Sequence, residues 1–216
     1  MWMDRWFVVL SAAFFAGVAS AQVEAGRQAE KLPSSSNEWT SSIGVYGYLG
    51  AGEPAYGSAT LSSDYNWLHL EARYNYESLK TGSLWTGYNF IAGRKLVFQV
   101  TPMFGVVLGK TTGIAPGYEF SFTYKRLELY SEGEYVYNTK DKHDTFFYSW
   151  NEVRYSPLNW LHFGLVNQGS KLHRTEFEGQ RGVSLGFSRR NIDYTTYAFI
   201  TGSGGPSLVL ALSYTF

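Results

Sequence analysis

Residues 206–216 read Pro-Ser-Leu-Val-Leu-Ala-Leu-Ser-Tyr-Thr-Phe, with Leu208, Leu210, Leu212, Tyr214 and Phe216 on every second position. A strand turns successive side chains to opposite faces, so this period of two places all five on one side of a sheet. A helix would spread the same residues around its axis. The pattern recurs upstream in Leu68, Leu70, Ala72, Tyr74 and Tyr76, in Tyr118, Phe120, Phe122 and Tyr124, and in Val183, Leu185 and Phe187. Twelve segments follow from it: 39–49, 57–63, 67–77, 83–91, 96–109, 113–124, 127–138, 144–155, 161–171, 178–188, 192–202 and 206–216. Segment 57–63 is short and weakly patterned, which leaves ten or fourteen strands as the alternatives.

The connections between segments sort into two kinds. Asp64-Tyr65-Asn66, Ala92 to Lys95, Lys125-Arg126, Ser156 to Trp160 and Arg189 to Asn191 are tight, whereas the alternate ones are mostly longer and carry Gly, Lys and Pro. Short turns at one rim and longer loops at the other, with an even strand count, describe a closed antiparallel up-and-down transmembrane barrel rather than a sandwich.

Composition agrees. The 216 residues include 17 Tyr, 15 Phe, 7 Trp and 23 Gly, and the mean hydropathy of −0.21 conceals this apolar content because polar residues alternate with it. Charged residues make 17% of the chain and sum to zero, which excludes a basic nucleic-acid binder and an acidic disordered tail. With no Cys, disulfides and thiolate metal sites are excluded too.

The N-terminus is different in kind. Met1 to Arg5 precedes an apolar run from Trp6 to Val18, and Ala19-Ser20-Ala21 is a small-x-small cleavage site. This is a secretory signal peptide (1–21), since the apolar run falls short of the ~20 residues that a spanning helix needs. Residues 22–38 are polar and aperiodic, and predict a flexible periplasmic lead-in to the barrel of 39–216.

Pairing the segments gives one apolar face throughout. Ile200 faces Leu208 and Ile192 faces Phe216; Phe187 faces Ile192; Phe122 faces Leu129; Tyr155 and Val153 oppose Leu161 and Phe163. A slip of one residue would invert these assignments. Aromatics gather at the strand ends: Trp67, Phe90, Tyr124, Tyr155 and Phe216 by the tight turns, and Tyr76, Tyr118 and Tyr137 by the loops. Two such girdles around an apolar band suit lipid. The other face carries His69, Glu71, Arg73, Asn75, Glu119, Lys125, Glu128, Glu132, Glu134, Glu152, Arg154, His162 and Asp193. So many ions in a dry core would cost several kcal/mol each when unpaired, so the predicted interior is a polar, wet lumen. Pro102, inside segment 96–109, predicts a bulge or local bend.

The segment 206–216 resembles the terminal strand of Gram-negative outer-membrane β-barrel proteins of the porin-like class, which ends in Phe with apolar residues at alternate positions before it. With the signal peptide and the whole-chain alternation, the resemblance spans nearly all of the mature sequence. It implies residence in the bacterial outer membrane, contact with its lipids, and insertion by the barrel assembly machinery with Leu212, Tyr214 and Phe216 as the recognition element.

A barrel of about twelve strands is wider than one that side chains fill and narrower than a sixteen-stranded porin, so a narrow channel for small polar or cationic solutes is expected. The inward acids Glu71, Glu77, Glu119, Glu128, Glu132, Glu134, Glu152 and Asp193 exceed the bases Arg73, Lys125 and Arg154, which predicts a cation preference. Register sets Glu128 against Arg154 with His162 beyond it, a brace or a solute contact. It also sets Glu119 against Glu132 with Glu134 nearby, as a constriction or as charges satisfied by neighbouring strands. Trp85, Trp150 and Tyr197 are lumen filler or sugar-stacking platforms. Basic loop residues Lys80, Lys110, Lys140, Lys142, Lys171, Arg174 and Arg181 suit anionic headgroups or a solvated rim equally.

Two alternatives stay open. One is a structural or partner-binding barrel with a plugged lumen. The other, less favoured, is an outer-membrane hydrolase. Of His69, His143, His162 and His173, none is followed two residues later by Ser; Asp144 or Glu176 beside the loop histidines could support an Asp–His arrangement at a protease-like rim, although nearby Asp and His are common in any polar loop. No residue pattern calls for a cofactor, and neither loop histidine has metal-ligand spacing.

Overall fold

A computed structural model describes residues 38–50, 54–200 and 206–216. The expected signal peptide and the lead-in up to residue 37 lie outside the described residues. The described chain is almost entirely strand: β1 (Thr40–Gly50), β2 (Tyr56–Tyr65), β3 (Leu68–Tyr74), β4 (Thr81–Tyr88), β5 (Phe90–Gly93), β6 (Leu96–Gly109), β7 (Gly113–Tyr124), β8 (Leu127–Asn138), β9 (Phe146–Leu158), β10 (Leu161–Leu172), β11 (Glu178–Arg189), β12 (Ile192–Ile200) and β13 (Ser207–Thr215). One 3₁₀ turn, Lys142–Asp144, interrupts the loop before β9. Each strand pairs antiparallel with its chain neighbours except β4 and β5, which both pair with β6, and β1 closes the ring on β13 through pairs from Ser42↔Thr215 to Gly50↔Ser207. Phe216 seals that seam, donating its amide to the Ser41 carbonyl (2.8 Å) and accepting from the Ser41 amide (3.1 Å).

The barrel has twelve staves, because β4 and β5 are two parts of one. Both pair with β6 in a single register, Gly87↔Met103 and Phe90↔Val100 lying three residues apart on each strand. Within that register Pro102 falls opposite Tyr88, where the ladder lapses. Proline has no amide hydrogen to give, so the gap opens in the partner strand. Of the expected bulge or local bend, the bulge is absent from β6, which runs on for 14 residues with its β7 pairing unbroken across Pro102↔Tyr118. The register shift sits elsewhere, between Leu161↔Leu158 and Phe163↔Tyr155. There β9 continues through Pro157, so that turn is shorter than the sequence suggested.

Tight turns join β2 to β3, β5 to β6, β7 to β8, β9 to β10 and β11 to β12, and the longer connections share the other rim. Asn66, Lys125 and Arg190 hold φ of 53°, 57° or between at three of those turns, in the left-handed region that two-residue hairpins require. Lys125 is therefore an exposed turn residue and not a lumen base, a correction to the sequence reading. Asn75 is corrected likewise: it has φ of 57° and clasps its loop, donating Nδ2–H to the Gly57 carbonyl (2.9 Å) and accepting from the Lys80 amide (2.7 Å).

The predicted faces hold. Leu84 and Leu165 are 66% and 67% exposed on the outside, while Trp150 inside is fully buried. Where the pairing differs from expectation it differs by two residues, which preserves faces. β12 sets Ile192 against Tyr214, β11 sets Phe187 against Tyr194, and β9 sets Val153 against Leu165. The pairs Phe122↔Leu129 and Tyr124↔Leu127 stand as predicted. The turn-side girdle is richer than expected. Trp67 stacks on Tyr88 (5.2 Å) and Trp160 on Phe187 (6.2 Å), beside exposed Phe90, Tyr124, Tyr155 and Phe216. Tyr137 is exposed at the loop side, Tyr118 is exposed but midway along β7 and not at its loop end, and Tyr76 turns inward and is buried. β3 ends at Tyr74, so the alternation no longer governs Tyr76. No helix among the described residues is long and apolar enough to cross a membrane.

Candidate functional site

Glu71, Arg73, Glu128, Glu132, Glu134, Glu152, Arg154, His162 and Asp193 are all buried on the inner face, and Glu119 is half-buried there. Asp64 and Glu77 join them, so eight buried carboxylates (Asp64, Glu71, Glu77, Glu128, Glu132, Glu134, Glu152, Asp193) face two buried arginines. Asp64 faces inward because β2 extends past residue 63 to Tyr65, where the alternation in the sequence weakens.

One half of the lumen centres on Arg73. Its guanidinium donates to Glu71 Oε2 on the same strand (2.5 Å) and to Glu134 Oε2 on β8 (3.1 Å), which β4, β6 and β7 separate from β3 around the wall. It lies over the rings of Tyr76 (4.2 Å) and Trp85 (4.5 Å), a cation–π sandwich. Tyr76 and Tyr130 each donate a hydroxyl to Glu132 (2.7 Å), and Trp85 Nε1 donates to Ser83 Oγ (3.0 Å) and Glu77 Oε1 (3.2 Å). The Ser83 hydroxyl also donates to Glu77. Gly105 on β6 makes space for the indole, since a Cβ there would sit 2.4 Å from the ring.

The other half centres on Arg154. Its guanidinium binds Glu152 on its own strand at 3.3 Å, while Glu152 accepts from Ser184 (2.9 Å) and Tyr197 (3.5 Å). Glu128 pairs with Arg154 as predicted. His162 does not flank Arg154 as expected, because the β9–β10 register shift brings Gly164 opposite Arg154. Instead His162 Nε2 meets Thr195 Oγ1 at 2.9 Å, and Thr195 donates to Asp193 Oδ1 at 2.9 Å. A hydroxyl, an imidazole and a carboxylate thus meet, but the threonine proton goes to the carboxylate and Thr195 is fully buried. The set binds the wall together and does not present a nucleophile.

Glu119 and Glu132 oppose each other in the ladder, as predicted. Their carboxylates part company: Glu132 goes to the two tyrosines and Glu119 toward His69 and Glu71. The cavity among Arg73, Tyr76, Trp85, Met103, Glu132, Glu134 and Tyr148 holds about one water molecule. Trp150 packs edge-on against Tyr197 (5.3 Å) and Phe199 (5.5 Å), so these lumen aromatics fill space. At the loop rim His143 and His173 come together with ring centres 6.2 Å apart, and both are exposed.

No protein-family model and no curated protein matches the sequence. Among solved structures the chain is similar to "KdgM porin", with a TM-score of 0.60 at 13% identity over 81% of this chain and 99% of that one. It is similar too to "KdgM porin in complex with disordered oligogalacturonate", with a TM-score of 0.59 at 12% identity over 81% of this chain and 99% of that one. The fold is shared with these porins: a barrel closed by twelve antiparallel staves.

Proposed function

We propose that this protein is an outer-membrane channel through which small polar or cationic solutes pass along a narrow, acid-lined lumen. The observation that carries the reading is the charge balance inside a closed barrel: eight buried carboxylates to two arginines, behind a wall whose apolar side chains face outward. Acidic linings favour cations. The structural neighbour was captured with oligogalacturonate, a chain of carboxylate sugars. An acid-rich lumen repels such a polyanion, so that ligand is not carried over to this chain. Outer-membrane lipids meet the two girdles, and the outward Leu212, Tyr214 and Phe216 serve as the signal for the assembly machinery.

A second reading has its own observation. The packing around Arg73, Tyr76, Trp85 and Tyr148 leaves room for little beyond water, as in a plugged structural or partner-binding barrel. Planar-bilayer recordings in a salt gradient separate the two. The channel gives small single-channel steps with a reversal potential on the cation side. Anion selectivity overturns the acid-lined channel, and complete silence leaves the plugged barrel.

A further inference from the structure

We propose that His69 Nε2, with the carboxylates of Glu71 and Glu119, forms a binding site for a divalent metal ion of the zinc type in the lumen wall. The imidazole is already oriented for it. Asp64 Oδ1 lies 2.8 Å from His69 Nδ1 and also accepts from Asn89 Nδ2 at 2.7 Å, so the carboxylate that holds the ring is itself held. A ring that donates Nδ1–H to a carboxylate keeps its lone pair on Nε2, the arrangement by which proteins prepare a metal-binding histidine.

Nε2 has no hydrogen-bond partner although His69 is only 1% exposed. Its near neighbour is Glu71 Oε2 at 3.9 Å, too far for a hydrogen bond, and all three donor atoms lie within 4.8 Å of one another. His69 and Glu71 share the inner face of β3 at a spacing of two, while Glu119 comes from β7, three staves away, which makes the site a product of the barrel's curvature. Arg73 bonds Glu71 Oε2 at 2.5 Å and occupies one of its lone pairs, leaving another for an ion. One neutral imidazole and two carboxylates match the donor set of Zn²⁺, with water in the fourth position, and metal–donor bonds of ~2.0–2.2 Å require the three atoms to draw in by roughly 1 Å or less. The site goes beyond the channel reading and stands whether or not the barrel conducts.

The test is zinc titration of the protein folded in detergent, stripped with EDTA, followed by calorimetry and by metal analysis after gel filtration. One Zn²⁺ per chain is expected, with at least a ten-fold weaker association in His69→Gln and in Glu119→Gln, the latter half-exposed and close to isosteric. The double variant His143→Ala/His173→Ala, which removes the loop pair, keeps the stoichiometry. Retention of no zinc by the unaltered protein overturns the proposal without reference to any variant. So does loss of zinc only with the loop histidines, or unchanged binding in both lumen variants when their circular dichroism shows an intact barrel.

Discussion

Glu71-Ala-Arg73 on β3 and Glu152-Val-Arg154 on β9 are the same short motif, an acid and a base two apart on the inner face of a strand. The barrel uses them differently. Arg73 reaches across the lumen to Glu134 and lies between two aromatic rings, whereas the ion pair of Arg154 is with Glu152 of its own strand. Arg73 therefore ties together staves that are not neighbours, and Arg154 braces one stretch of wall. A motif on one strand specifies which face its charges take, but the staves that ring closure brings opposite it decide what the charges do.

That contrast can be broken at three points. The largest effect is expected from removing the cations. Arg73→Met leaves Glu71 and Glu134 without their common partner and should lower stability by about 3 kcal/mol, since a buried charge that loses its counter-ion is left uncompensated. Arg154→Met, with one longer ion pair to lose, should cost visibly less. Urea unfolding in lipid vesicles measures both, and equal losses would erase the distinction between bridge and brace.

Added methyl groups probe how firmly each half is held. Gly105→Ala places a Cβ against Trp85, which Glu77, Ser83 and Arg73 all restrain, whereas Gly186→Ala places one 2.1 Å from His162 Nε2. Overpacking costs about 1–3 kcal/mol, and the restrained indole should set the upper value and the imidazole the lower. The same unfolding measurement decides, with the reverse order counting against a rigid Arg73 half.

The smallest difference should come from single hydroxyls. Tyr76→Phe removes a 2.7 Å bond to Glu132 and should cost about 1 kcal/mol, while Tyr197→Phe removes a 3.5 Å contact with Glu152 and should cost a few tenths. A larger loss at Tyr197 would mean that the Arg154 half is the stiffer one.

Much of this barrel was legible from alternation and turn placement, and the errors fall where those rules stop applying. Tyr76 and Asn75 were assigned a face by extending the period past the end of β3. Lys125 was given one although it sits in a hairpin turn, where φ of 55° detaches the side chain from the pleat. His162 was placed beside Arg154 by an ideal hairpin, and the irregularity near Pro157 moved it toward Thr195. Of the expected inward ions, Glu128 and Arg154 stand opposite each other in the ladder as expected because they lie on adjacent staves, where strand register alone sets the neighbour.

The sequence by itself determined that strands cross the chain's width, which face of each is apolar, and that turns gather at one rim and loops at the other. Those properties depend on a period of two and on residues close in the chain. Only the tertiary structure decided that Glu134 meets Arg73, that Tyr76 bonds Glu132, and that Glu119 turns from its ladder partner toward His69. Such contacts join staves three or four places apart, so they depend on barrel radius, strand stagger and side-chain reach, for which no local periodicity exists.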